Sequence, residues 1–169
     1  MSRTLILVRH AKAGGGDGGG DVDRPLTELG YEQCRIVARE LGGLGLAPDA
    51  ALVSNARRAR QTFDAMAQAA GWGAKPQILD SLYTGYVEEV LQAVRQCAPQ
   101  AATVMVFGHE PTMSATGYKL AGPGSDPGAV ARVRRGLPTA GLAIVELAGQ
   151  WPSLGVEPTR LRWLLTPLA

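Results

Sequence analysis

Apolar positions along the chain alternate between short continuous runs and helically spaced stretches, and that alternation predicts the elements. Thr4–Val8 is an unbroken apolar run, the pattern of a strand buried on both faces of a mainly parallel sheet. From Thr27 to about Leu41 the residues Leu29, Ile36, Val37 and Leu41 share a helical stripe, with Thr27 as N-cap and Gly42-Gly43 as the stop. Ala51–Val53 reads as a second strand, residues 54–58 as a connecting turn, and Ala59, Phe63, Met66, Ala67 and Ala70 as a second helix ending at Gly71. Ile78 and Leu79 lead into a third helical stripe of Val87, Val90, Leu91, Val94 and Cys97, which Pro99 closes. Thr103–Phe107 is the strongest strand signal, and Pro111 just beyond it opens a helix running to about Ala121. The Gly- and Pro-rich stretch 121–129 reads as loop, before final strands at Leu142–Leu147 and Leu161–Leu165.

Alternating strand and helix units predict a layered α/β domain with a mainly parallel sheet, spanning residues 1–169 without repeat or linker. In such sheets ligands bind outside the carboxyl ends of the strands. A hydrophobic content of 46% with 19% charged residues suits a globular chain. The apolar run before Arg9 is too short for a signal peptide or a membrane span, so a cytoplasmic location is expected. A net charge of +2 argues for neither nucleic acid nor a membrane as partner. Arginines do cluster at Arg57, Arg58 and Arg60 and at Arg132, Arg134 and Arg135, which leaves room for a local anion site. Cys34 and Cys97 lie far apart in helical stretches and read as core fillers rather than a disulfide or metal motif.

Both histidines of the chain follow predicted strands: His10 after Arg9, and His109 after Gly108. A parallel sheet could bring them together. A metal site is one reading of a histidine pair, but no HExxH spacing, neighbouring Cys or carboxylate cluster accompanies either, so no metal and no cofactor is expected. Arg9 and Arg58 point instead to an anion, because a guanidinium matches phosphate oxygens bidentately and keeps its charge. Arg57 and Arg60 are read as a solvated helix end, since neighbours this close in a helix cannot all face one site. The run Gly14–Gly20 contains a formal GxGxxG, yet it does not open a helix directly, so it reads as a loop beside the site that moves on substrate binding.

These segments together resemble the histidine phosphatase superfamily. LILVRHAKA is similar to its RHG motif, VSNARRARQT to its SPxxRAxQT segment, and VFGHEP to the segment carrying the second active-site histidine, with DRPLTELG between them. Together with the short length, these segments resemble the SixA-type phosphohistidine phosphatases, from about Thr4 to Leu120, with a weaker match in the C-terminal strands. The resemblance implies a three-layer α/β sandwich like that of phosphoglycerate mutase. It makes His10 the nucleophile and Arg9, Arg58 and His109 the ligands of the phosphate oxygens. Three positions depart from the pattern: Ala11 stands for Gly, Asn55 for Pro, and Arg57 where Leu is common.

The expected reaction is metal-independent hydrolysis through a phosphohistidine on His10, with the two guanidiniums supplying the positive charge. An alkoxide leaving group needs a general acid, for which Glu110 and Asp80 are the candidates; each also reads as a capping or surface carboxylate. Without an acid, a phosphohistidine-containing protein is the more sensible substrate. Three rival readings stay open: a small-molecule phosphomonoesterase or mutase, a non-catalytic phosphate binder, and a partner-binding protein working through Arg132, Arg134 and Arg135.

Overall fold

The computed structural model describes residues 2–16 and 18–167. Six strands form one sheet in the order β3-β2-β4-β1-β5-β6: β1 (Arg3–Arg9), β2 (Ala50–Ser54), β3 (Pro76–Leu79), β4 (Thr103–Gly108), β5 (Leu142–Leu147) and β6 (Thr159–Leu165). β1 pairs in parallel with β4, β4 with β2, and β2 with β3. β5 is antiparallel to β1 and β6 to β5, so β5 alone runs against the rest.

Strand residues alternate between two cores, as the period of two in a pleated strand requires. Ile6, Val8, Val53, Met105 and Phe107 face α1 (Glu28–Gly43) and α2 (Arg57–Ala70) on one side. Leu5, Leu7, Leu52, Val104 and Val106 face the other side. That side is covered by α3 (Ser81–Thr84), α4 (Val87–Arg95), α5 (Thr112–Lys119) and α6 (Pro127–Val133). The result is the three-layer sandwich with a mainly parallel central sheet. Trp151 is fully buried in the second core and donates its indole N–H to the carbonyl of Ala101 at 2.8 Å.

Thr27 caps α1 as expected, its hydroxyl accepting from the Gly30 amide at 3.1 Å. The buried stripe of α1 is shifted, however, to Gly30, Gln33, Cys34, Val37, Ala38 and Leu41, and Leu29 is exposed. Gly30 causes the shift: a Cβ there would collide with the carbonyl of Lys12, so this face of α1 can sit directly on the chain leaving β1. α4 ends at Arg95, short of Pro99, leaving Cys97 half-buried beyond it. Pro111 precedes rather than begins α5.

The reading of residues 121–129 as loop is corrected at its end. α6 starts at Pro127, with Asp126 as its N-cap accepting from the Ala129 amide at 2.8 Å. An Asp-Pro start with an acceptor at the cap outweighs the local richness in glycine. Among the described residues no helix is long and apolar enough to cross a membrane. Asp17, in the middle of the glycine-rich run, lies outside the described residues.

Candidate active site

β1 and β4 are hydrogen-bonded neighbours in the middle of the sheet, with Arg9 in register with Gly108. The residue after each strand is therefore a histidine at the same carboxyl edge. His10 and His109 lie with ring centroids 5.3 Å apart, and the His10 amide donates to the Gly108 carbonyl at 3.0 Å. Arg58 arrives from the first turn of α2. That helix is set against β4 by Phe63, whose ring meets Phe107 edge-on at 5.4 Å.

The hydrogen bonds assign the tautomers. His10 Nδ1 lies 2.8 Å from the carbonyl of Ala11, an acceptor only, so Nδ1 carries the proton. Nε2 is left with its lone pair, which accepts from Arg58 Nε at 3.3 Å. In His109 the positions are exchanged. Nε2 donates to Ser54 Oγ at 2.8 Å, and Nδ1 faces Arg58 Nη2 at 3.4 Å. Two bare ring nitrogens thus converge on one guanidinium.

Burial is the main reason that His10 is pushed down to about 4, and the charges of Arg58, Arg9 and Arg24 push the same way. The hydrogen bond to Ala11 opposes them. His109 falls to about 3, again chiefly through burial, with His10 and Arg58 adding to the effect. Both rings are neutral at ordinary pH.

Arg9 donates through Nη1 to the carbonyl of Leu137 at 2.8 Å, and its buried Nε has no hydrogen-bond partner among the described residues. The loop that holds Arg9 is itself held by Glu110, which accepts from the Leu137 amide at 2.9 Å through one oxygen and from the Ser114 amide at 2.8 Å through the other. Asp80 is exposed just before α3. The described hydrogen bonds join neither carboxylate to His10 or His109.

Two of the three departures from the family pattern fit locally, whereas the side-chain oxygen of the third, Asn55, is buried without a hydrogen-bond partner among the described residues. Ala11 is buried without a positive φ, and its amide donates to Thr62 Oγ1 at 2.9 Å; the same hydroxyl donates to the carbonyl of Arg58. Thr62 thereby ties the chain after His10 to the start of α2. Arg57 reaches toward Asp23, with its Nη1 3.8 Å from the carboxylate, and Arg60 folds back onto the carbonyl of Asn55. Neither enters the site.

Residues that the sequence reading missed stand around Arg58. Asp21 binds it through its carbonyl and its carboxylate, at 2.7 and 3.0 Å, and Tyr83 donates its hydroxyl to the same carboxylate at 2.6 Å. Ser54 fixes the orientation of His109. Asp21 directly follows the glycine run, and Tyr83 lies 62 positions further along the chain, so no spacing signal links them. Among the described residues no group of three His, Cys, Asp or Glu side chains is placed to hold a metal ion.

Two neutral histidines and the Arg58 guanidinium thus meet at the carboxyl edge of the sheet, with Arg9 beside them at the end of β1. The chain belongs to the histidine phosphatase superfamily, whose branch 1 model matches residues 5–84. A protein of Mycobacterium tuberculosis is 35% identical over 152 residues, covering 89% of this chain and 92% of its own length. Another, from Mycobacterium leprae, is 30% identical over 158 residues, covering 91% and 96%. Among solved structures, SixA from Nakamurella multipartitia superposes with a TM-score of 0.88 at 35% identity, covering 100% of this chain and 98% of its own. The protein histidine phosphatase SixA complexed with tungstate gives a TM-score of 0.79 at 25% identity, with 97% of each chain covered.

Proposed function

We propose that this protein hydrolyses phosphohistidine carried on a protein, by way of a phosphohistidine intermediate on His10. The observation that carries the reading is the His10 ring itself. Its Nδ1–H is engaged by Ala11, and its Nε2 lone pair faces the guanidinium of Arg58. Such a nitrogen is ready to attack without first losing a proton.

In the first step His10 Nε2 forms a bond to phosphorus as the P–N bond to the substrate imidazole breaks. Arg9, Arg58 and His109 receive the three non-bridging oxygens, holding the phosphoryl group in line and spreading its charge. Phosphorylation makes the His10 ring cationic, and the Ala11 carbonyl beside Nδ1–H stabilises that form. In the second step water attacks phosphorus, His10 is released, and inorganic phosphate leaves with the added oxygen. Two guanidiniums provide the positive charge, so the reaction is assigned no metal requirement.

The substrate class follows from the leaving group. With both Glu110 oxygens accepting backbone N–H groups and Asp80 in solvent, a ready proton donor for an alkoxide is missing from the described hydrogen bonds. A substrate imidazole that carries a proton on its distal nitrogen departs as a stable neutral base and needs less help. The tungstate bound by the SixA relative, an oxyanion of phosphate-like geometry, agrees with an anion pocket of this kind.

The test is a substrate panel with and without EDTA, using His10→Ala as the blank. Phosphohistidine should turn over faster than an aryl or sugar phosphate and be indifferent to EDTA. Equal or reversed rates would reject the substrate assignment, and loss of activity in EDTA would reject the metal-free mechanism.

A further inference from the structure

We propose that Asp21 is a positioning residue for Arg58, and that Tyr83 and Arg24 hold its carboxylate for that purpose. The proposal rests on reading His10, Arg58 and His109 as the oxyanion site. Arg58 offers five N–H donors in a rigid fork. Its Nε and Nη2 point toward His10 Nε2 and His109 Nδ1, at 3.3 and 3.4 Å, and form the edge on which a phosphoryl oxygen would bind. The other edge is taken by a single residue: Nη1 donates to the Asp21 carbonyl at 2.7 Å, and Nη2 donates its second hydrogen to Asp21 Oδ2 at 3.0 Å.

Asp21 is held in turn from two directions. Tyr83, on α3, donates its hydroxyl to Oδ2 at 2.6 Å, and Arg24 donates Nη1 to Oδ1 at 3.1 Å. Arg24 also donates Nε to the carbonyl of Gly14 at 2.8 Å, which fastens the base of the glycine-rich excursion. The Tyr83 ring stands edge-on to His109 at 5.5 Å, with the Arg58 guanidinium carbon 5.9 Å from its centroid. Four separate segments, carrying His10, Asp21, Tyr83 and His109, therefore meet at one guanidinium.

The division of edges separates positioning from blockade. A carboxylate serving as a plug would occupy the edge facing the histidines, where the phosphoryl group goes. Asp21 takes the far edge and leaves the near one to the two imidazoles. Its side chain is 52% exposed and its described hydrogen-bond partners, Arg58, Tyr83 and Arg24, lie outside both hydrophobic clusters, so its removal leaves the cores intact. Losing it frees the plane of Arg58 to rotate, which degrades in-line alignment more than initial capture of the substrate. The carbonyl contact survives any substitution, so the loss is partial.

Asp21→Ala, Asp21→Asn and Tyr83→Phe in the full chain test this, read by calorimetric binding of tungstate and by kcat and KM on phosphohistidine. Asp21→Ala should weaken tungstate about tenfold and lower kcat about tenfold, with KM moving less and Tm within about 2 °C of wild type. Asp21→Asn, which keeps an acceptor oxygen, should recover part of both losses, and Tyr83→Phe should shift them in the same direction by less. Tighter tungstate binding by Asp21→Ala would identify a plug and overturn the proposal, as would unchanged binding and kcat. A wild-type protein that binds tungstate without consuming phosphohistidine sinks the substrate reading and leaves the Asp21 comparison valid. Failure of wild type to bind tungstate overturns both.

Discussion

Arg58 Nε donates to His10 Nε2 at 3.3 Å, on the opposite side of the imidazole from the Nδ1–H that is bound to the Ala11 carbonyl. The lone pair proposed as the nucleophile is thus aligned by the same guanidinium proposed to receive the phosphoryl oxygens. On that reading, an arriving phosphoryl group gives the Nε–H of Arg58 a charged acceptor in place of the imidazole. The exchange needs little movement, so the site is largely preorganised.

Neutral histidines determine the response to acid. With His10 at about 4, the acid limb of kcat/KM should fall near pH 4 instead of near the ordinary histidine value of 6.5. Stability follows the same groups. In the unfolded chain each histidine takes a proton near 6.5, whereas the folded protein resists protonation down to about 4 for His10 and about 3 for His109. The unfolded state therefore binds more protons in that window. The stabilisation is complete above pH 6.5 and is lost as pH falls toward 4, by about 3 kcal/mol from His10 alone. Urea midpoints between pH 7 and 4 check the sign, and a midpoint that held constant or rose would contradict it.

His109 can donate from Nδ1 to an anion only if its ring exchanges tautomer, with Ser54 donating to Nε2, or takes up a proton. Its Nδ1 is bare in this structure, yet a phosphate oxygen requires a donor there. A bound dianion reverses the local field and raises the ring above its present value of about 3. Proton uptake on tungstate binding between pH 6 and 7, measured as the dependence of calorimetric enthalpy on buffer ionisation heat, therefore distinguishes protonation of His109 from exchange of its tautomer. His109→Gln should bind with no such uptake. Equal uptake in both proteins would assign the proton elsewhere.

Much of this site was legible in the sequence. A residue directly after a buried strand needs little tertiary information to be placed, so His10 and His109 could be paired from two strand exits. Arg58 was assigned from the start of a helix whose apolar spacing was clear. The surroundings were harder. Asp21 looks like a solvated loop residue after a run of glycines, and only the packing of α3 brings Tyr83 onto its carboxylate. α6 was hidden because the Asp-Pro cap at its start sits in a composition typical of loops. On α1, the buried face turned on Gly30, a residue with no hydrophobic signature.

Glu110 separates a supporting role from an acid one. Its two oxygens accept the Ser114 and Leu137 amides, and the Leu137 carbonyl accepts from Arg9. Glu110→Gln turns an amide NH2 toward one of those N–H groups and should cost about 1–3 kcal/mol of stability. Through Leu137 it should also loosen Arg9 and reduce kcat/KM for phosphohistidine severalfold. The alkaline side of the pH profile should be unchanged. Its disappearance on an ester substrate, with stability intact, would show that Glu110 supplies the leaving-group proton.

His10 Nε2 is the proposed acceptor of the phosphoryl group. Rapid alkaline quench of the enzyme during turnover of phosphohistidine, followed by peptide mass spectrometry, tests it most directly, since phosphohistidine survives base. One phosphoryl group should appear on His10, and His10→Ala should show neither the adduct nor measurable turnover. Turnover by wild type with His10 unmodified at every time point, or near wild-type turnover by His10→Ala, would rule out His10 as the acceptor.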